Sequence, residues 1–200
     1  WRKYYVGMIS RIREFELKYN VKILATPLVR FHFDDPTLPI SIFVQPRKSR
    51  NRSYEQLAKQ LHQIWIVALI LDVSREWQAT SQFFEEYSLL FNQSSDQALA
   101  VIQAYSNSIY SVWYEFDLNP YTMCRGIFWH GESSPQWFRM MLQRVGELSA
   151  SLGLKRLPLR PDIVLLDGVL KTCKDIMRHG LDIEVLIECK NKDFRYWKRS

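Results

Sequence analysis

The sequence predicts a two-part α/β protein, and three observations lead there. Pro161–Gly168 and Ile183–Asn191 have the apolar, β-branched composition of strands bounded by polar residues. Longer segments before and between them carry apolar residues at helical spacing. The charge is divided: residues 1–53 hold 11 basic and 4 acidic side chains, 54–131 hold 3 and 8, and 132–200 hold 13 and 9. The chain accordingly reads as an N-terminal α+β accessory unit, residues 1–130, and a C-terminal unit, residues 131–200. The boundary falls within residues 120–134.

In the first unit, Tyr4–Tyr19 is predicted as a helix, with Tyr5, Met8, Ile12, Phe15 and Tyr19 at three- and four-residue spacing. Val21–Leu24, Val29–Phe33 and Ile40–Gln45 are rich in β-branched and aromatic residues and read as strands. Pro46–Ser53 carries Arg47, Lys48, Arg50 and Arg52 without an apolar anchor. It is either a solvated loop or one that contacts phosphate. Ser53 and Gln56 fit a capping box, opening a helix with Leu57, Leu61, Ile64 or Trp65, and Ala68 on one face. Ile64–Leu71 reads either as the end of that helix or as a buried strand. Trp77–Phe91 is predicted helical. So is the stretch from Ser94 to Phe116, on the stripe Leu99, Ile102, Tyr105, Ile109, Trp113 and Phe116. These aromatic residues are expected in the core.

The second unit opens with a predicted helix running to about Leu152. Ser134 is its N-cap, Pro135 its first position, and Gly153 suits the residue past its end. Leu170–Arg178 reads as a short helix closed by His179-Gly180. Lys171, Lys174 and Arg178 recur at three- and four-residue spacing there. They are either a substrate-facing stripe or a solvated face.

Composition excludes several classes. The longest apolar run, Ile64–Leu71, is too short to span a membrane. There is no Gly-rich phosphate loop, so ATP use is not expected. The four histidines, at 32, 62, 130 and 179, have no ligand spacing. Cys124, Cys173 and Cys189 are odd in number and far apart, which argues against a disulfide scaffold or a Cys-rich zinc site and for a reducing compartment. The net charge of +6 mildly favours a polyanionic partner.

The chemistry concentrates in the two C-terminal strands. Asp162 begins the first; Glu188 and Lys190 lie near the end of the second. Residues two apart on a strand share a face, so Glu188 and Lys190 project together and Cys189 turns toward the core. Carboxylates on adjacent strands can hold a hard divalent cation such as Mg²⁺. A nearby lysine can orient water or offset developing charge. The chemistry implied is hydrolysis of a phosphodiester.

A helix, a strand, a Pro161-Asp162 strand opening and then Glu188-Cys189-Lys190 on the next strand resembles the PD-(D/E)XK nuclease superfamily. That family includes restriction endonucleases and Holliday-junction resolvases. The resemblance covers residues 136–200. It implies a mixed β-sheet flanked by helices, with Leu154–Leu157 as its first core strand, Asp162 and Glu188 binding Mg²⁺ (Mn²⁺ substituting) and Lys190 positioning water. It also implies that a glutamate of the first core helix joins the site. Glu147 is that helix's acidic residue, with Gln143 or Glu132 as alternatives. The family core continues beyond the lysine, so residues 131–200 are expected to be cut short at the C-terminus.

The expected function is a metal-dependent endonuclease that hydrolyses DNA, acting inside the cell, in the cytoplasm, with no membrane association. Arg47, Lys48, Arg50, Arg52, Lys171, Lys174 and Arg178 would contact the DNA backbone. The competing class is a non-catalytic nucleic-acid-binding or assembly protein that keeps the fold. A homodimer, and a protein partner on the N-terminal unit, are the other partners open to it.

Overall fold

The computed structural model describes residues 2–26, 50–83, 86–92, 96–120, 122–126, 134–154 and 159–189. Helix α1 (Arg2–Tyr19) buries Met8, Ile12 and Phe15 of the expected stripe, with Ile9 beside them, and half-buries Tyr19. Asn20, at φ 48°, ends it, a conformation that asparagine tolerates better than most residues. Strand β1 (Val21–Thr26) follows. The expected strands at Val29–Phe33 and Ile40–Gln45, with Arg47 and Lys48, lie outside the described residues.

Helix α2 (Arg50–Asp72) is longer than expected. Arg50, Arg52 and Ser53 are helical, so Ser53 does not cap the helix and the basic loop cannot extend to it. Ile64–Leu71 belongs to the helix. Leu61, Ile64, Val67, Ala68 and Leu71 are buried at helical spacing, while Leu69 faces out. At its C-terminal end Lys18 Nζ and Tyr19 Oη both reach Asp72 Oδ1, at 2.6 and 2.7 Å, and tie α1 to α2.

The middle of the chain corrects the helical expectation. Trp77–Phe91 forms β2 (Glu76–Ala79), β3 (Ser81–Phe83) and the start of β4 (Glu86–Asn92). The stretch from Ser94 to Phe116 holds β5 (Ala100–Gln103) and β6 (Ile109–Tyr114). The apolar stripe at 99, 102, 109, 113 and 116 matches a helical period, but it spans a hairpin. The turn is closed by Ala104 N–H to Ser108 O and by Asn107 N–H to Ala104 O. In β6, Val112, Trp113 and Tyr114 are all buried, as in a strand covered on both faces.

The expected C-terminal elements are present. Helix α3 (Gln136–Ser151) has its N-cap at Pro135 rather than Ser134, one residue later than expected. It ends at Gly153, φ 63°. Leu154 N–H bonds Ser149 O and Gly153 N–H bonds Ala150 O, the Schellman closure. Strand β7 (Ile163–Asp167), helix α4 (Cys173–His179) and strand β8 (Ile183–Ile187) follow. Thr172 and Asp175 form a capping box on α4. The expected strand at 154–157 lies mostly outside the described residues.

Two sheets result. The smaller, in order β1-β4-β3, is mixed: β1 runs parallel to β4 and β3 antiparallel. The larger, in order β2-β5-β6-β7-β8, is antiparallel throughout. Strand β6, from residues 1–130, pairs along its length with β7, from residues 131–200. Side-chain alternation sends Val112, Tyr114 and Ile163 into one core with α1, α2 and β4. It sends Trp113, Val164 and Leu166 into a second core with Phe138 of α3 and Cys173 and Ile176 of α4. Helices therefore cover both faces of the larger sheet, an α/β layering.

Cys124 and Cys173 form a disulfide, Cα to Cα 5.7 Å. This corrects the expectation from cysteine number and spacing. A separation of 49 residues vanishes where the 3₁₀ turn Met123–Gly126 meets the start of α4 across the second core. Cys189 is buried and outside any disulfide. Among the described residues no helix is long and apolar enough to cross a membrane.

Candidate active site

Asp162 immediately precedes β7 and is 2% exposed. A buried carboxylate is costly unless its oxygens are bonded. Both are. Lys59 Nζ and Gln63 Nε2 reach Oδ1 at 2.7 and 2.6 Å, and the backbone N–H of Cys189 donates to Oδ2 at 2.6 Å. The backbone joins in, with Glu115 N–H donating to Asp162 O at 2.8 Å.

Glu115, the residue after β6, is the second carboxylate. Arg160 clamps it, with Nη2 at 2.9 Å from Oε2 and Nε at 3.1 Å from the backbone oxygen. Its other oxygen, Oε1, lies 3.4 Å from Gln63 Nε2 and 3.9 Å from Lys59 Nζ. One amide nitrogen and one ammonium thus face Asp162 and Glu115 together. Glu115 has φ 44°, a conformation that costs a residue with a Cβ of order 1 kcal/mol or more.

Gln63 and Lys59 are four apart on α2 and so share a face. Gln63 is itself buried. Tyr114 Oη donates to Gln63 Oε1 at 2.9 Å, which turns the amide so that its NH₂ points at the carboxylates. Burial raises the Tyr114 phenol above its ordinary pKa, and the charges of Glu115 and Asp162 add to the effect. It remains a donor.

The expected site residues are distributed as follows. Asp162 lies at the centre. Ile163 pairs with Ile187, so the register carries Glu188 opposite Asp162 at the first position past β8, where it is exposed. Lys190 lies outside the described residues. Glu147 is exposed on α3 and accepts from Gln143 Nε2 at 2.8 Å, a bond within its own helix. Lys171 precedes the α4 cap, and Lys174 and Arg178 lie one turn apart on α4, all three exposed. The backbone of Arg50 and Arg52 is in the first turn of α2.

Comparison with family models, with curated proteins and with solved structures gives no match. The reading of the site therefore rests on its geometry. Among the described residues no group of three or more His, Cys, Asp or Glu is placed to hold a metal ion. Mg²⁺ takes one or two protein carboxylates and completes its shell with water and substrate oxygens; here Asp162 Oδ1 and Glu115 Oε1 both face the Lys59 ammonium, at 2.7 and 3.9 Å.

Lys59, Gln63, Tyr114, Glu115 and Arg160 were not anticipated. One signal was available: Gln63 is a polar residue set between Leu61 and Ile64 on the apolar side of α2. Another was Arg160, directly before Pro161-Asp162.

Proposed function

We propose that the chain is a metal-dependent nuclease of the PD-(D/E)XK kind, hydrolysing DNA phosphodiester bonds. One observation carries the reading. A buried carboxylate, Asp162, sits where three strands end side by side, with Glu115 after β6 and Glu188 after β8 as neighbours in register.

Asp162 would hold the divalent ion, with Glu115 and Glu188 as the other oxygen donors. When bound, that ion supplies Lewis-acid charge to a phosphate and acidity to a water. Arg160 and Gln63 fix the Glu115 and Asp162 carboxylates, so their oxygens need little reorganisation. Lys190 is assigned the orientation of the attacking water, by its place in the Glu188-Cys189-Lys190 triplet. Glu115 takes the part that the sequence reading gave to Glu147, whose carboxylate is bonded to Gln143 instead. Lys171, Lys174 and Arg178 supply exposed positive charge for the DNA backbone.

A second reading, a nucleic-acid-binding or assembly protein without catalysis, is favoured by the engagement of both Asp162 oxygens within the protein. The test is cleavage of linear, nicked, single-stranded and branched DNA in Mg²⁺, Mn²⁺ or EDTA. Wild type is compared with Asp162→Ala, Glu115→Gln and Lys190→Ala. Metal-dependent cutting is expected, falling about a hundredfold or more in Asp162→Ala. DNA binding without cutting by any metal would transfer the assignment to the second reading.

A further inference from the structure

Three donors hold Asp162, and they differ in freedom. Cys189 donates from its backbone, and Gln63 is 1% exposed and locked by Tyr114. Lys59 differs: its side chain is 47% exposed although its Nζ lies 2.7 Å from Asp162 Oδ1. It is an ammonium on a flexible four-carbon stem. It can leave the carboxylate without opening the core. When it leaves, Asp162 Oδ1 faces the same space as Glu115 Oε1. An ammonium and a divalent cation cannot share that oxygen, since they need the same lone pairs and repel each other.

We infer that Lys59 is a resident place-holder: it neutralises Asp162 when the site has no ion, and it must be displaced from Oδ1 for a divalent ion to bind. The inference rests on the reading of Asp162 as a metal ligand. The logic follows from burial. A buried carboxylate stripped of all positive partners is strongly destabilising. A lysine that reaches in from the surface keeps Asp162 compensated in the metal-free chain. The same contact raises the ion concentration needed to load the site.

The measurement is Mn²⁺ binding to the full 200-residue chain, followed by the paramagnetic resonance signal of free Mn²⁺. Lys59→Met, Lys59→Gln, Lys59→Arg and Asp162→Asn are compared with wild type, with a thermal melt to confirm that each is folded. Lys59→Met and Lys59→Gln are expected to bind up to about fivefold tighter, the factor left to a half-exposed ion pair after solvent screening. Lys59→Arg keeps the charge and should bind as wild type. Asp162→Asn should lose binding. If Asp162→Asn loses binding but neither neutral Lys59 variant tightens it, the place-holder role is wrong and the metal reading stands. If Asp162→Asn binds like wild type, or if neither wild type nor the neutral Lys59 variants bind Mn²⁺, the metal reading is wrong and this inference falls with it.

Discussion

Replacing Tyr114 by phenylalanine removes one oxygen atom from the network around Asp162 and leaves the packing of the ring against Phe91 intact (ring centroids 5.0 Å apart). The bond lost by Gln63 is Tyr114 Oη to Gln63 Oε1, and the phenol's hydrogen bond with the Gln60 side chain goes with it. Gln63 Oε1 is then an acceptor in a side chain 1% exposed to solvent. Leaving a buried neutral acceptor unpaired costs about 1–3 kcal/mol. The amide cannot recover the loss by flipping, because Oε1 would then face the Asp162 and Glu115 carboxylates, acceptor against acceptor. The expected loss is therefore about 2 kcal/mol. In a chain of this size that lowers the melting temperature by about 4–8 °C.

The pH dependence has a definite sign. The folded phenol is raised above its ordinary value, first by burial. Its contribution is thus fully present below about pH 10, the ordinary tyrosine value, and is lost only as pH rises through the folded pKa. Urea unfolding should give the same difference between wild type and Tyr114→Phe at neutral and mildly alkaline pH. Tyr105→Phe, at a site 79% exposed, is the control and should stay within about 0.5 kcal/mol of wild type. A Tyr114→Phe protein as stable as that control would refute the account of Gln63 as an oriented buried amide.

Two further predictions concern the frame. Cys124→Ser, or reduction of the native protein, opens a link across 49 residues and should cost up to about 4 kcal/mol in urea unfolding; an unchanged midpoint would show that the bond does not form in solution. Gly153→Ala meets no atom within 4 Å but imposes a Cβ at φ 63°, so it should lower stability by about 1 kcal/mol through strain alone; a neutral result would remove the left-handed closure of α3.

The ends of the chain were more legible than the middle. Helices α1, α3 and α4 and strands β7 and β8 have caps, glycines or apolar runs that agree with their final state. From Glu76 to Tyr114 the apolar stripe fits two periods, and local pattern cannot choose between them. Pairing decides: β5 and β6 find partners on both sides, which no helix could provide. The site divides the same way. Pro161-Asp162 stands out because a carboxylate opens an apolar strand. Its partners do not, since Gln63 lies 99 residues earlier and Glu115 47 residues earlier. The two cysteines that join were discounted on linear distance, which carries no information about distance in space.

The union of β6 with β7 has a temporal consequence. The Asp162 cluster draws on residues 59, 63, 114, 115, 160 and 189, contributed by α2, by the ends of β6 and β8 and by the approach to β7. Contacts of such long sequence separation form slowly, after local structure. During synthesis, a ribosome-bound chain that has not yet released β8 lacks the N–H that holds Asp162 Oδ2. The assembled cluster is therefore a property of the sheet with β8 in place, and any activity it supports is withheld from nascent intermediates that lack β8.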